Sequence, residues 1–366
     1  MRVLAVNAGS STLKLTLLDD RDRVLGAREL PMRSGELDRS EIDATISREL
    51  SGADAVGHRI VHGGERFTRA VVVDAEVEAA LGELVDLAPL HQPKSLAALQ
   101  TVAAALPELP TIACFDTAFH TTLPAQAHTY ALPPTWRKRW PLRRFGFHGL
   151  SHSWVARRVP ELLSRPSGRL RIVSCHLGAG ASLCAIVDGR SLDTTMGFTP
   201  LEGLVMATRC GSVDPGLLLW LLERSGMSER EVARALEHES GMLGLSGSAD
   251  MREVLARVDA GDEEAELALE VYIHRLRAGI AAMAASMDGL DVLVFTGGVG
   301  ENAAQVRART VAGLVFLGLA IDDSANAGAD GDRDITAARG VPHIFVLRTR
   351  EDLEIASQVR ALLAGA

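Results

Sequence analysis

Aromatic residues are scarce in this 366-residue chain, 4% of the total with two Tyr. A large core must therefore be filled by aliphatic side chains and Ala, which a hydrophobic content of 47% permits. Basic residues are outnumbered, 38 against 47 acidic, for a net charge of −9 and a pI near 5.7. General nucleic-acid binding relies on a basic face and is excluded. An anionic small substrate needs positive charge concentrated at one place. Cysteine is also sparse. Cys114, Cys175, Cys184 and Cys210 are widely spaced and form no CxxC pair. Cys114 and Cys175 sit in apolar runs, so buried thiols in a reducing compartment are expected rather than disulfides or zinc ligands. No apolar run reaches the roughly 18 residues of a membrane span. Arg2 and a short run ended by Asn7 do not make a signal peptide, so a cytoplasmic location without membrane partners is expected.

The length favours two domains. Val3 to Val6 is a short apolar run, and Leu13, Leu15 and Leu17 alternate with Lys14, Thr16 and Leu18. The pattern predicts two strands of a hairpin joined by the small, polar turn Asn7 to Thr12. Such a turn presents backbone N–H groups and hydroxyls at one end of a sheet, where phosphate oxygens can be held. The theme recurs at Ile172 to Asp188, where the turn is Gly178-Ala179-Gly180. A duplicated hairpin predicts two related α/β halves facing each other across a cleft. Further strands are expected at 53–61, 111–115, 291–295 and 343–347, with helices near 40–50, 75–87, 93–105, 215–225, 228–240, 263–287 and 350–363. The strand at 53–61 places Arg59 and His62 at a sheet end, where open α/β sheets bind ligands. Phe295 leads into the glycine-rich run Gly297 to Asn302, with a helix expected to start close to Asn302. Residues 121–150 lack clean periodicity and read as a packed connection carrying site residues.

The motifs VNAGSSTLK (6–14), VGHRIVHGG (56–64), PLHQP (89–93), FDTAFH (115–120), RRFGFHGLSH (143–152), CHLGAGAS (175–182), the block 193–216, FTGGVGEN (295–302) and RTREDLEIA (348–356) run from end to end. In this order they resemble the actin, Hsp70 and sugar-kinase superfamily, and within it the acetate kinase family. The resemblance implies two duplicated actin-like (ribonuclease H-like) domains with a central cleft: 1–120 plus 353–366, and 121–352 with most nucleotide contacts. It further implies reversible in-line transfer of the γ-phosphoryl of ATP to acetate. Propionate or butyrate is the alternative acceptor, and a nucleotide-dependent protein-binding clamp is the alternative of another class.

By the same resemblance, Arg59 and Arg209 hold the carboxylate and the transferring phosphoryl. His148 donates to the phosphoryl oxygens. Asp116 and Glu351 anchor the Mg²⁺ region, with Asn7 beside Glu351 as metal contact and Mn²⁺ as the alternative ion. The methyl pocket is Val61, Leu90, Phe147 and Pro200. Nucleotide contacts come from Ser10, Lys14, His176, Gly178, Gly180, Asp250, Arg252, Gly298, Gly300 and Asn302, and a homodimer through the C-terminal domain is implied. His120 and His152 read equally as catalytic groups or as structural hydrogen-bond partners. The Ala-rich helix Arg277 to Met287 reads as core or as a dimer face. The chain departs from the family at Ala179 (usually Asn), Arg350 (usually Asn), Thr12 (usually Ser), Leu150 (usually Thr), and at Gln92, Lys94 and Ser95 in the usual HNPPN run. These departures leave ATP, GTP and pyrophosphate open as donors.

Overall fold

Thr12–Leu18 (β2) buries Leu13, Leu15 and Leu17 and pairs antiparallel with Val3–Ala8 (β1), Asn7 lying opposite Lys14. The hairpin turn is tied by the Gly9 N–H donating to Thr12 O, 2.8 Å. The computed structural model describes residues 1–9, 12–31, 39–89, 91–164, 169–337 and 342–365. Two of the expected contact residues, Ser10 and Leu90, lie outside them.

Val24–Pro31 (β3), Ala55–Ile60 (β4), Val71–Val72 (β5) and Thr111–Phe115 (β6) complete a six-stranded sheet in the order β3-β2-β1-β4-β6-β5. β1, β4 and β6 are mutually parallel, and the flanking strands are antiparallel. A second sheet is built from Arg171–Leu177 (β7), Ala181–Val187 (β8), Arg190–Thr194 (β9), Val292–Thr296 (β10), Arg333–Asp334 (β11) and His343–Val346 (β12). Its order, β9-β8-β7-β10-β12-β11, repeats the first with the same parallel and antiparallel pairings. The duplicated α/β architecture is thus present in full, down to an edge strand in each sheet too short for periodicity to reveal.

The chain divides into two compact units, each with one sheet: residues 1–121, 147–154 and 350–366, and residues 122–146 and 155–349. In the first unit, helix Gln92–Ala105 covers one face, packing Ala98 and Val102 on Val56. Helix Glu351–Ala364 covers the other, with Ile355 and Val359 lying against Gly57. A Cβ at Gly57 would overlap both side chains, so glycine allows the close approach.

Three expectations change in detail. The glycine-rich run is itself helical, Gly297–Asn302, and a second helix, Ala304–Ala312, follows. Gly297 (φ 80°) supplies the left-handed conformation that lets the helix begin directly after β10. Within 121–150, residues 133–141 are exposed throughout. One face of the segment Arg277 to Met287 is core, with Ile280, Met283, Ala284 and Met287 buried, while Ala278, Ala282 and Ala285 on the other are exposed. Cys114, Cys175 and Cys184 are buried free thiols, and burial pushes the Cys184 thiol up to about 12.

Candidate active site

Register brings the first group of side chains together. β1 aligns Val6 with His58 of β4, so Asn7 falls beside Arg59, and β4 aligns Ile60 with Phe115, so Asp116 emerges at the same sheet end. With Ile355 packed on Gly57, Glu351, one helical turn earlier, reaches the level of Arg59 two residues along the strand. Arg59 Nη2 donates to Asp116 Oδ2 at 2.6 Å and Nε to Oδ1 at 3.1 Å. Arg59 Nη1 donates to Asn7 Oδ1 (3.1 Å), and Asn7 Nδ2 donates to Glu351 Oε2 (2.6 Å). Four residues from four separate segments form one hydrogen-bonded chain.

Its electrostatics follow from burial, Asp116 being 1% exposed. Burial works against the Arg59 cation, but Asp116 and Glu351 beside it hold its pKa above the ordinary arginine range. Burial likewise pushes the Asp116 carboxyl up, and Glu351 adds to this, while the Arg59 guanidinium and a hydrogen bond from the His148 backbone pull it down. Two carboxylates thus share one guanidinium.

His148 has a left-handed backbone, φ 55°, rare for a side chain of its size. The conformation is fixed from both sides. The His120 Nε2–H donates to the Phe147 carbonyl at 2.9 Å, and the Gly149 N–H donates to the Asp116 carbonyl at 2.9 Å. A Cβ at Gly149 would overlap that carbonyl. His120 is fully buried, with its ring 5.7 Å from that of His152 in an edge-to-face contact.

Val61 and Phe147 are buried in the same unit. Sequence reasoning passed over what holds Val61 in place. Gln92, fully buried, accepts from the His62 N–H and donates to the His62 carbonyl, both at 3.1 Å. His62 Nδ1 accepts from the Gly64 N–H (2.9 Å), Thr117 Oγ1 accepts from the Gly63 N–H (3.0 Å), and the His62 ring meets Phe147 edge-on at 5.5 Å. Gln92 is one of the departures from the family pattern, the one signal the sequence offers. Lys14 is exposed on β2, opposite Asn7.

The remaining predicted residues belong to the second unit. His176 is the penultimate residue of β7, before the turn Gly178 to Gly180, which is closed by the Gly178 N–H donating to Gly180 O (3.0 Å). Arg209 Nη1 donates to the carbonyl of the buried Pro200, 2.7 Å. Asp250 caps helix Met251–Asp259 and pairs with the exposed Arg252. In the glycine-rich helix a side chain at Gly298 would meet only open space, and Asn302 Nδ2 donates to Gly298 O (2.8 Å). The helix is fastened by Glu301, whose Oε1 accepts from the N–H groups of Gly297 (3.1 Å) and Thr349 (2.9 Å) and from the Thr349 hydroxyl (2.8 Å). Glu301 lies in the motif 295–302 and Thr349 in 348–356, and neither motif by itself announces their contact.

A divalent cation fits the first cluster. Asp116 and Glu351 bring two carboxylates to it, with Asn7 between. No group of three or more His, Cys, Asp or Glu among the described residues is arranged to hold a metal. Mg²⁺ suits such a sparse set, because it keeps water and phosphate oxygens as its other ligands.

Over residues 37–357 the chain matches the acetokinase family. It is 42% identical, over 404 aligned positions covering all of both proteins, to an acetate kinase of Synechococcus sp. (strain JA-2-3B'a(2-13)). To an acetate kinase of Gloeobacter violaceus it is 48% identical, across 86% of this chain and 78% of that protein. The fold superimposes on the crystal structure of Porphyromonas gingivalis acetate kinase with a TM-score of 0.89, at 36% identity and 99% coverage of each chain. A propionate kinase from Francisella tularensis subsp. tularensis gives a TM-score of 0.90 at 34% identity and 98% coverage of each. With the duplicated fold and the Asn7–Arg59–Asp116–Glu351 cluster in place, these likenesses establish that the chain belongs to the acetokinase family.

Proposed function

We propose that the protein is an acetate kinase, transferring the γ-phosphoryl of ATP reversibly to a carboxylate oxygen of acetate. The observation that carries the reading is the buried Arg59 guanidinium, held charged between Asp116, Asn7 and Glu351 at the sheet end of an acetokinase-family chain. A phosphoryl group in flight spreads negative charge over three oxygens, so catalysis is chiefly positioning and charge stabilisation. Guanidinium groups serve this because they bind carboxylate and phosphate with parallel hydrogen bonds. Arg59 and Arg209 take that role, and His148 donates to the phosphoryl oxygens. Acetate is already ionised at neutral pH, so no general base is required. Asp116 therefore orients Arg59 and helps to hold the cation. Asn7, Asp116 and Glu351 would hold Mg²⁺ or Mn²⁺, which when bound would neutralise charge on the phosphate oxygens.

On the first unit the buried Val61 and Phe147 take the methyl group, and Leu90 and Pro200 are the other methyl contacts that the family resemblance assigns. Nucleotide contacts fall to Ser10, Lys14, His176, Gly178, Gly180, Asp250, Arg252, Gly298, Gly300 and Asn302. Propionate is the competing acceptor, since the likeness to a propionate kinase is as close as that to an acetate kinase. The test is hydroxamate formation with Mg-ATP, Mg-GTP or pyrophosphate against acetate and propionate. Acetate should be preferred by at least about tenfold in kcat/KM, the worth of one methylene in a tight pocket. Absence of any acetate-dependent product would defeat the reading and return weight to a nucleotide-dependent clamp.

The protein acts in the cytoplasm as a homodimer. No helix among the described residues is long and apolar enough to cross a membrane. Helix Pro215–Arg224 of the second unit buries none of its residues, leaving Leu217, Leu219 and Trp220 exposed at 46%, 62% and 58%. An apolar helix so exposed is an association surface, and a second copy is the partner that covers it.

A further inference from the structure

Arg307, on helix Ala304–Ala312, has a long side chain that is only 1% exposed. Its guanidinium meets four acceptors, none of them a carboxylate. Nη1 donates to the carbonyls of Gly300 and Glu301, both at 2.8 Å. Nε donates to Asn326 Oδ1 at 2.7 Å, and Nη2 to Asn326 O at 2.8 Å. Asn326, itself buried, is oriented by its own Nδ2 donating to Ala304 O (3.0 Å). The adjacent Glu301 carboxylate is directed instead at Gly297 and Thr349. A buried cation is ordinarily paired with an anion, because desolvation is costly and dipoles alone repay it incompletely. Burial accordingly pushes the Arg307 guanidinium down to about 10. Arg307 thus grips the far end of the glycine-rich helix and leaves a positive charge behind it without a counter-ion among the described residues.

We propose that Arg307 is the buried countercharge and positioning residue of the nucleotide site, fixing the Gly300 and Glu301 carbonyls while its charge is balanced by the polyphosphate of a bound nucleoside di- or triphosphate. This rests on the reading of Gly298, Gly300 and Asn302 as nucleotide contacts. A purely structural Arg307 requires only acceptors. A countercharge also requires that no nearby anion already satisfies it, and in a low-dielectric interior such a charge is felt beyond contact range.

The two roles separate at Asn326. Asn326→Asp keeps the acceptor on Arg307 and supplies a carboxylate counter-ion, at the loss of the Nδ2 bond to Ala304 O. Binding of Mg-ADP, Mg-ATP and adenosine to the full-length protein is measured by titration calorimetry. In folded Asn326→Asp the Kd for Mg-ADP should rise at least about fivefold and that for Mg-ATP further, with adenosine unaffected. Arg307→Met should weaken both nucleotides as well, and Arg307→Lys less so, since it restores the charge without the fork. Wild-type Kd values for Mg-ADP and Mg-ATP in folded Asn326→Asp overturn the proposal. Gly298→Val, placed where a side chain meets open space, tests the underlying site. If it leaves Mg-ADP binding at the wild-type level, the turn is not the nucleotide site and both readings fall. If it abolishes binding while Asn326→Asp does not alter it, only the countercharge role of Arg307 fails.

Discussion

Arg59 and Asp116 are each intelligible only through the other. The sequence places both in recognisable motifs and assigns them separate duties, one on the carboxylate and one near the metal. The folded chain joins them by three hydrogen bonds with Asp116 almost fully enclosed. Removing one member of a buried pair strands the other, which costs about 3–5 kcal/mol. Asp116→Ala should therefore lower both stability and kcat, the latter by at least about a hundredfold as for the loss of one positioned charge-stabilising group. Because the stranded guanidinium is itself the damage, the double variant with Arg59→Ala should cost less than the two single variants added together. Urea unfolding and steady-state kinetics on the four proteins of the cycle measure this, and simple additivity would refute the coupling. Gln92 makes a different point at this scale. As a departure from the family pattern it was visible in the sequence, but its grip on the His62 peptide is a tertiary contact that no local pattern announces.

Strands and helices translate local sequence into site geometry. The β1–β2 hairpin, β6 and the helices flanking the sheets were legible because their apolar periods are local properties of the chain. The two-residue strands β5 and β11 were not, because nothing in so short a segment distinguishes strand from loop. The strand β4 buries His58 on one face, and its end presents His62, both held neutral by burial: His58 is pushed down to about 3 and His62 to about 4. In the unfolded chain each titrates near 6.5. Between 6.5 and 4 the unfolded state therefore binds more protons than the native one, so stability falls as pH drops through this window and is constant above it. The slope contributed is up to about 1.4 kcal/mol per pH unit for each histidine. Unfolding free energies by urea at pH 8, 7, 6 and 5 should be level for the first pair and fall across the second. A profile level down to pH 5 would contradict burial of the neutral rings.

At the scale of the molecule, one frame has been used twice for different chemistry. The repeated topology makes His176 the counterpart of Asn7 and Thr296 the counterpart of Arg59, by position in the paired strands. Where the first sheet ends in the Arg59–Asp116 cluster, the second ends in a glycine-rich helix fastened by Glu301 and Arg307. The second unit also carries the exposed helix Pro215–Arg224. If it is the dimer face, Leu219→Glu with Trp220→Glu should convert a dimer to a monomer in sedimentation equilibrium, since each large apolar side chain left uncovered forfeits roughly 1.5–3 kcal/mol of burial. A variant that sediments as the wild type places the interface elsewhere.

The sequence by itself determined the duplicated α/β frame, the turns at the sheet ends and the membership of every expected site residue except Asp250 and Arg252 in a motif. All of these depend on periodicities and turn residues within a few positions of one another. Tertiary structure alone decided which of those residues meet. The contacts of Arg59 with Asn7 and Asp116 span 52 and 57 positions, and that of Asn7 with Glu351 spans 344. They arise because parallel register aligns three strand ends, because Gly57 lets the C-terminal helix lie flat on the first sheet, and because residues 147–154 pack with that sheet and bring His148 to Asp116. None of these contacts has a period for a sequence to display.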